Sequence, residues 1–249
     1  MAGHSKWKQI KRKKAVTDAR RASAWTKIIR EITVAAKAGG GDPDGNPRLR
    51  LAVDSARAVN MPKENIERAI KKGTGELEGA SFEELTYEGY GPGGAAIFIE
   101  TTTDNANRTV AEIRHAFSRN GGNLGASNSV AWMFDRKGQI YLDATRLDED
   151  ATLEAALDAG AEDFAHEGDQ YVVTTSPPAF HAVQDALRAR KVPVDSAELA
   201  MVPRNTVKVE GADAERILKL VEALEELEDV SKVFSNFDID AAQLAEAEA

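Results

Sequence analysis

The apolar pattern of the chain changes between Gly73 and Ser81. Before this stretch, apolar residues recur at alternating steps of three and four, which is typical of helices that bury one face. After it, short runs rich in β-branched and aromatic residues, bounded by Gly, Asp and Asn, alternate with helical patterns. The change predicts an all-helical domain at the start of the chain, followed by α+β structure.

Three helices are predicted in the first part. The first runs from about Asp18 to Ala38 and ends at the glycines 39–41, and the second begins at Pro47 behind the capping residue Asn46. The third covers 63–72, with Gly73 as its stop. In the first helix the spacing places Ala22, Trp25, Ile29, Ile32 and Ala36 on one face, so Trp25 is predicted to pack in the core. Residues 1–75 are therefore predicted to form a basic arm and a three-helix bundle.

The second part reads as strands and helices in β-α-β-β-α-β order, which is typical of ferredoxin-like α+β sandwiches. A hairpin is predicted over 85–102 and a helix over 106–119 capped by Asp104, followed by separate strands at 129–134 and 138–143. Residues 136–203 supply one complete set, whereas 80–135 and 204–240 supply a second set only when taken together. The predicted fold is multidomain, with an N-terminal three-helix bundle and two ferredoxin-like α+β domains, the third domain inserted in the second.

Charge is distributed very unevenly along the chain. Residues 1–75 carry 18 Lys or Arg and 7 Asp or Glu, a net charge of +11, whereas residues 76–249 carry a net charge of −20. Such asymmetry points to contact with a polyanion through the basic part, while the acidic remainder is repelled by phosphate. A solvated run of cations is the alternative explanation.

The candidate nucleic-acid contacts lie in the arm and on the first helix. Trp7 stands among the cations of the arm, where an indole can stack on a base or a guanidinium. Arg20, Lys27 and Arg30 fall on the helix face opposite the apolar one, and this face is expected to reach a partner. The full predicted set is Lys6, Trp7, Lys8, Lys11, Arg12, Lys13, Lys14, Arg20, Arg21, Lys27 and Arg30.

No catalytic, cofactor or metal site is expected. The chain has no cysteine, and its four histidines, at 4, 115, 166 and 181, have no metal-ligand spacing among them. Gly91–Gly94 and Gly121–Gly125 are explained by tight turns, although their backbone could approach a ligand. Asn107 and Arg108 remain candidates for a polar contact site. No run of residues has the length and apolarity of a membrane span, so no membrane partner is expected.

A series of motifs resembles the YebC/PmpR family in the order in which they occur, and together they cover essentially the whole chain. In the first part these are the segments at 2–7, 18–21, 26–31, 38–43, 46–50, 60–62 and 68–70. The series continues with Tyr87-Glu-Gly-Tyr-Gly-Pro-Gly-Gly94, Asn107-Arg-Thr-Val-Ala-Glu112, Gly121-Gly-Asn-Leu-Gly125, Ala159-Gly-Ala-Glu-Asp163 and Asp195-Ser-Ala-Glu198. The segment 199–203, Leu-Ala-Met-Val-Pro, is a mild variant of the family's usual Val-Ser-Met-Ile-Pro.

The resemblance implies a cytoplasmic bacterial protein of three domains. Members of that family are described as probable transcriptional regulators that bind promoter DNA. A mitochondrial relative activates translation of cytochrome c oxidase subunit I, and other members resemble ribosome-associated factors that relieve stalling. Three hypotheses therefore stay open: a DNA-binding transcriptional regulator, a translation factor that binds ribosomal RNA, and a protein-interaction scaffold whose basic end is merely solvated.

Overall fold

The structure is a computed structural model that describes the backbone of residues 18–240, with side chains from residue 23 onward. Within this range the chain forms two compact units. Unit one combines the residues up to Met133 with those from Asn205 onward, and unit two consists of Phe134–Arg204. Unit two therefore interrupts unit one in the sequence. The further division of unit one near residue 75 stays a prediction.

Three helices open unit one, as predicted: α1 (Asp18–Gly39), α2 (Pro47–Ala58) and α3 (Lys63–Gly73). Their shared core contains Ile32, Leu49 and Ile66. Trp25 is partly buried against this core and donates its indole N–H to the carbonyl of Val59 at 3.4 Å, which agrees with the predicted inward orientation.

The connection from α1 to α2 is built around Asn46, which is 5% exposed. Its Oδ1 accepts from the backbone N–H of Leu49 at 3.1 Å, as a helix cap does. Its Nδ2 donates to the carbonyls of Ala35 and Gly40 at 2.8 and 2.9 Å, at the end of α1. One amide group thus satisfies the start of one helix and the end of another.

The stop of α3 differs from the prediction. The helix includes Gly73, and the residue in the left-handed conformation is Gly75, at φ 83°. The N–H of Glu76 bonds to the carbonyl of Lys71, and that of Gly75 to Lys72, which is the Schellman pattern. Gly73 has a different role: an added Cβ would lie 2.4 Å from the carbonyl oxygen of Thr33, so its lack of a side chain lets α1 and α3 approach closely.

The rest of unit one is a four-stranded antiparallel sheet in the order β3-β1-β2-β9, with two helices. Ile97, Ile113 and Ile217, from one strand and both helices, meet in its core. The strand β8 does not join this sheet but pairs in parallel with β10, so unit one departs from a second plain β-α-β-β-α-β set. The elements are β1 (Glu83–Tyr90), β2 (Ala96–Thr103), α4 (Ala106–Arg119), β3 (Asn123–Leu124), β8 (Val207–Lys208), α7 (Gly211–Glu226), β9 (Val230–Ser235) and β10 (Phe237–Asp238).

Unit two shows the predicted β-α-β-β-α-β order. Its antiparallel sheet has the order β5-β6-β4-β7. The first and third strands of this unit, β4 and β6, are therefore central, as in ferredoxin-like sandwiches. The mixed helical and antiparallel-sheet character predicted for the chain is thus confirmed. The elements are β4 (Phe134–Asp143), α5 (Glu149–Asp158), β5 (Asp163–Glu167), β6 (Gln170–Thr175), α6 (Phe180–Ala189) and β7 (Ser196–Pro203).

Two local predictions are wrong in the part of unit one that precedes Phe134. The segment before Phe134 is not a strand, because the N–H groups of Val130 and Ala131 bond to the carboxylate of Glu88, and a short 3-10 turn follows at Ala131–Met133. The cap of α4 is Asn105, which accepts from the N–H of Arg108, and not Asp104. Asp104 instead pairs with the guanidinium of Arg108 at 2.8 Å.

Candidate nucleic-acid interface

Most of the predicted contact residues lie at the start of the chain. Lys6, Trp7, Lys8, Lys11, Arg12, Lys13 and Lys14 lie outside the described residues, and Arg20 and Arg21 belong to the first turn of α1, where side chains are not described. Their contact with nucleic acid stays a prediction. The described part of the interface begins further along α1.

Arg30 does not lie on a solvent-facing surface, and the prediction that it does is wrong. Its side chain is 9% exposed and donates from Nη1 to the carboxylate of Asp229 and from Nη2 to that of Glu228, both at 2.6 Å. Nη1 also donates to the carbonyl of Thr102 at 3.2 Å, and the guanidinium lies 5.3 Å from the ring centre of Phe82. Arg30 is therefore committed to contacts within unit one.

Lys27 makes a related contact one turn earlier. Its Nζ donates to the backbone carbonyl of Glu225, near the end of α7, at 2.5 Å. A cation at a helix C-terminus interacts favourably with the negative end of the helix dipole. Lys27 and Arg30 thus attach α1 to the end of α7 and the segment after it, so this part of the predicted basic face is an internal contact.

Asp229 is the centre of a buried polar cluster. Its side chain is 1% exposed and accepts from Arg30, from Arg108 at 2.7 Å and from the hydroxyl of Thr109 at 2.7 Å. Burial alone raises the pKa of a carboxyl group, but the hydrogen bonds from Arg108, Thr109 and Arg30 outweigh it and hold the pKa of Asp229 below its ordinary value. Arg108, which the sequence marks as a candidate for a polar contact, binds Asp229 in this cluster. Asp229 lies 121 residues further along the chain, and no pattern in the sequence indicates that the two residues pair.

Arg48 is a second cation of the bundle that is occupied by carboxylates. It donates from Nε to Glu31 at 2.8 Å and from Nη2 to Glu84 at 2.5 Å. The hydrogen bond to Glu84 contributes most to raising the pKa of Arg48, against the effect of desolvation. Like Arg30, Arg48 links the bundle to neighbouring parts of unit one.

A basic surface remains on the second half of α3. Arg68, Lys71 and Lys72 are exposed and are spaced i, i+3, i+4, while Ile66 and Ala69 on the other side of the helix are buried. Within residues 18–240, no ion pair involves these three cations. Lys63 at the start of the same helix is paired with Glu67 at 3.4 Å. The surface of Arg68, Lys71 and Lys72 is termed the α3 basic surface.

The described histidines have ordinary surroundings. His166 lies against the ring of Tyr171 and 3.1 Å from Glu149, and His181 packs against Phe180. Between residues 18 and 240 there is no group of three or more side chains that could hold a metal ion. In the same range, no helix combines the length and apolarity needed to cross a membrane.

Two family models together match nearly all of the chain. The N-terminal domain of TACO1/YebC proteins matches residues 5–76, and the second and third domains of TACO1/YebC match residues 82–237. The chain belongs to the TACO1/YebC family. Residues 77–81, which separate the two matches, lie within the Gly73–Ser81 stretch where the apolar pattern changes.

Bacterial relatives match this chain over nearly its full length. A probable transcriptional regulatory protein of Gemmatimonas aurantiaca is 60% identical over 99% of this chain and 100% of the relative. A second, from Geobacter sulfurreducens, is 55% identical over 98% of both. Among solved structures, a conserved hypothetical protein of Aquifex aeolicus is 47% identical and has a TM-score of 0.84, covering 90% of this chain and 92% of that one.

Proposed function

We propose that this member of the TACO1/YebC family is a non-enzymatic, cytoplasmic regulator of gene expression that binds nucleic acid through its basic N-terminal part. The observation that carries the proposal is the separation of charge, from +11 over residues 1–75 to −20 over the remainder. A phosphate backbone attracts the first part and repels the second, which supplies both affinity and orientation.

The described side chains indicate which cations are available for the proposed contact with nucleic acid. Arg30, Arg48 and Lys27 are occupied within unit one, so they add little to an outer surface. The α3 basic surface stays exposed and adds three cations of the folded bundle to those that the sequence places in the arm. We therefore assign the contact to the arm, the first turn of α1 and the α3 basic surface.

The names of the relatives, probable transcriptional regulatory proteins, support a transcriptional regulator. In this form of the proposal the nucleic acid is promoter DNA. In such a protein a helix pair with a short turn commonly places its second helix in the major groove. Here α2 and α3 are joined by residues 59–62, with Asn60 in the left-handed conformation at φ 55°. The chain thus contains one connection of suitable length for such a motif.

A specific feature of α3 favours the second candidate, a translation factor on ribosomal RNA and the ribosome. The residues that read bases in a helix-turn-helix stand in the N-terminal half of its second helix. In α3 this half exposes Glu64 and Glu67, which repel phosphate, and Lys63 beside them is paired with Glu67. The α3 basic surface stands in the second half of the helix. A surface that binds backbone without a reading helix suits RNA, which is recognised largely by shape and by unpaired bases.

Crosslinking the protein in living cells and sequencing the recovered nucleic acid tests the proposal and separates its two forms. Enrichment of promoter DNA supports the transcriptional regulator, and enrichment of ribosomal RNA supports the translation factor. Recovery of neither above the level of an uncrosslinked control would contradict nucleic-acid binding and leave the protein-interaction scaffold as the better hypothesis.

A further inference from the structure

Two exposed aromatic side chains of unit one converge on a single backbone atom. The hydroxyl of Tyr90 and the indole N–H of Trp132 each lie 3.0 Å from the carbonyl oxygen of Ser129. Trp132 is 62% exposed and Tyr90 is 37% exposed. Their polar tips are thus satisfied by the chain itself, while much of the ring surface stays in solvent, an unusual position for a large aromatic side chain.

The loop that carries Trp132 is fixed by hydrogen bonds to a buried carboxylate. The buried carboxylate of Glu88 accepts from the N–H groups of Asn128, Val130 and Ala131, each at 2.7 Å. Asn128 is in the left-handed conformation at φ 65°, which fixes the turn before the tryptophan. Three hydrogen bonds to one carboxylate fix the conformation of this loop. A ligand that stacks on Trp132 therefore does not have to order the loop when it binds.

The end of α4 and the turn after β1 complete this surface. Gly122 packs directly beneath Tyr90, because an added Cβ there would lie 2.8 Å from the carbonyl oxygen of Tyr90. Gly121 lies beside Pro92 in the turn that follows Tyr90. Arg119, in the last turn of α4 and two residues before Gly121, is exposed.

The charge of these segments differs from that of the sequence around them. Residues 76–249 contain 34 acids, yet Ile113–Phe134 has none and includes Arg114, His115 and Arg119. The segment 89–99, which contains Tyr90, also lacks an acid. The segments that carry Tyr90 and Trp132 therefore contribute cations and no acid outside Glu88, whose carboxylate is buried, and this favours the approach of an anionic backbone.

We propose that Tyr90 and Trp132 form a stacking site for an unpaired base of single-stranded nucleic acid. The proposal rests on the proposed function and adds a second contact, outside the basic N-terminal part. Stacking on an aromatic face requires a base that is not enclosed in a duplex, and it tolerates any base because each has a π face.

The test uses the full chain and two fluorescent probes, a single-stranded oligouridine of about 12 nucleotides and a duplex of equal length. Trp132→Ala is expected to weaken binding to the single strand by about 5- to 150-fold, the range measured for loss of one base–aromatic stack. The dependence of affinity on salt should stay unchanged, because no phosphate contact is lost. Duplex binding should stay at the wild-type level, and Trp132→Phe should retain most of the single-strand affinity.

Leu157→Ala is the matched control, since it truncates another exposed apolar side chain, 53% exposed, in unit two. Melting curves establish that each variant is folded. Wild-type binding with equal affinities for Trp132→Ala and Leu157→Ala would overturn the stacking site and leave the proposed function intact. An equal loss on both probes would also overturn it, whereas failure of the wild type to bind either probe would contradict the proposed function itself.

Discussion

Arg30 Nη1 lies 2.6 Å from Asp229 Oδ1, and both side chains are removed from solvent. The two residues are separated by 199 positions in the chain, with all of unit two between them. Asp229 also binds Arg108 and Thr109, so one carboxylate joins the basic helix α1 to the start of α4. This cluster attaches the helical bundle to the α+β part of unit one.

Loss of Arg30 should therefore destabilise the protein far more than loss of an exposed arginine. Arg30→Ala is expected to lower the free energy of unfolding by about 3–5 kcal/mol, because it removes one partner of a buried ion pair. Arg57→Ala is the control: this arginine is 72% exposed and lies 3.5 Å from Asp54, a surface pair whose loss costs about 0–1 kcal/mol. Denaturant titrations compare the two, and equal losses would contradict the role assigned to Arg30.

The cluster should also make stability depend on pH in acid. The pKa of Asp229 is lower in the folded protein than in the unfolded chain, so its contribution is complete above the unfolded pKa of about 4. The contribution is lost as the pH falls through the depressed folded value. The stability difference between wild type and Asp229→Asn should therefore be large at neutral pH and shrink below about pH 4. Unfolding curves from neutral to acid pH measure this, and a constant difference would count against it.

Asn46 offers a separate test of the bundle. Asp and Asn are similar as helix caps, so capping alone predicts a neutral Asn46→Asp change. The structure predicts a loss of about 1–3 kcal/mol, because a carboxylate loses both Nδ2 hydrogen bonds and faces the carbonyls of Ala35 and Gly40. Asn105→Asp, at the exposed cap of α4, should stay within about 0.5 kcal/mol of the wild type. Thermal melts that show equal shifts for both substitutions would refute the double role of Asn46.

Local signals in the sequence were sufficient for the main elements. Apolar spacing, together with Asn46, Pro47 and the glycines after α1, predicted the three helices to within one or two residues. The same rules failed where two candidates stand close together: Asn105 caps α4 in place of Asp104, and Gly75 ends α3 in place of Gly73. Asp104 instead makes a local i,i+4 pair with Arg108, and Gly73 packs on α1.

The candidate site was less predictable than the fold, because the surroundings of its residues depend on contacts with residues far away in the chain. Helix geometry correctly separates Arg30 from the apolar residue Ile32, but it does not indicate that Asp229 covers Arg30. In the same way, Trp132 has no apolar period, and the loop before it is fixed by hydrogen bonds to Glu88, which lies 40 residues before Asn128. Contacts between residues so far apart in the chain leave no pattern in a single sequence.

The arm can be tested by the salt dependence of binding. If Lys6, Lys8 or Lys11 contacts a phosphate, its replacement by Ala should flatten the slope of log K against log[salt] by roughly 0.7–0.9 on every probe. Trp7→Ala should leave the slope unchanged and lower affinity by about 1–3 kcal/mol on stem-loop RNA but not on duplex DNA, provided the indole stacks on an unpaired base. An equal Trp7 effect on both probes would remove this support for the RNA candidate.

Binding of nucleic acid by the basic N-terminal part can be tested by a charge-matched comparison in the full chain. One variant reverses Lys11, Lys14, Arg68 and Lys71 to Glu. The control reverses Arg188, Lys191, Arg216 and Lys219 to Glu, so each variant contains two pairs of cations three residues apart and the same change of net charge.

The measurement is the dissociation constant of each variant on duplex DNA and on stem-loop RNA at a fixed salt concentration. We expect a loss of at least about 1000-fold on one or both probes for the first variant, since four cations proposed to contact phosphate are reversed, and a much smaller loss for the control. Equal losses for the two variants would show that net charge alone governs binding and would contradict the assignment to the N-terminal part.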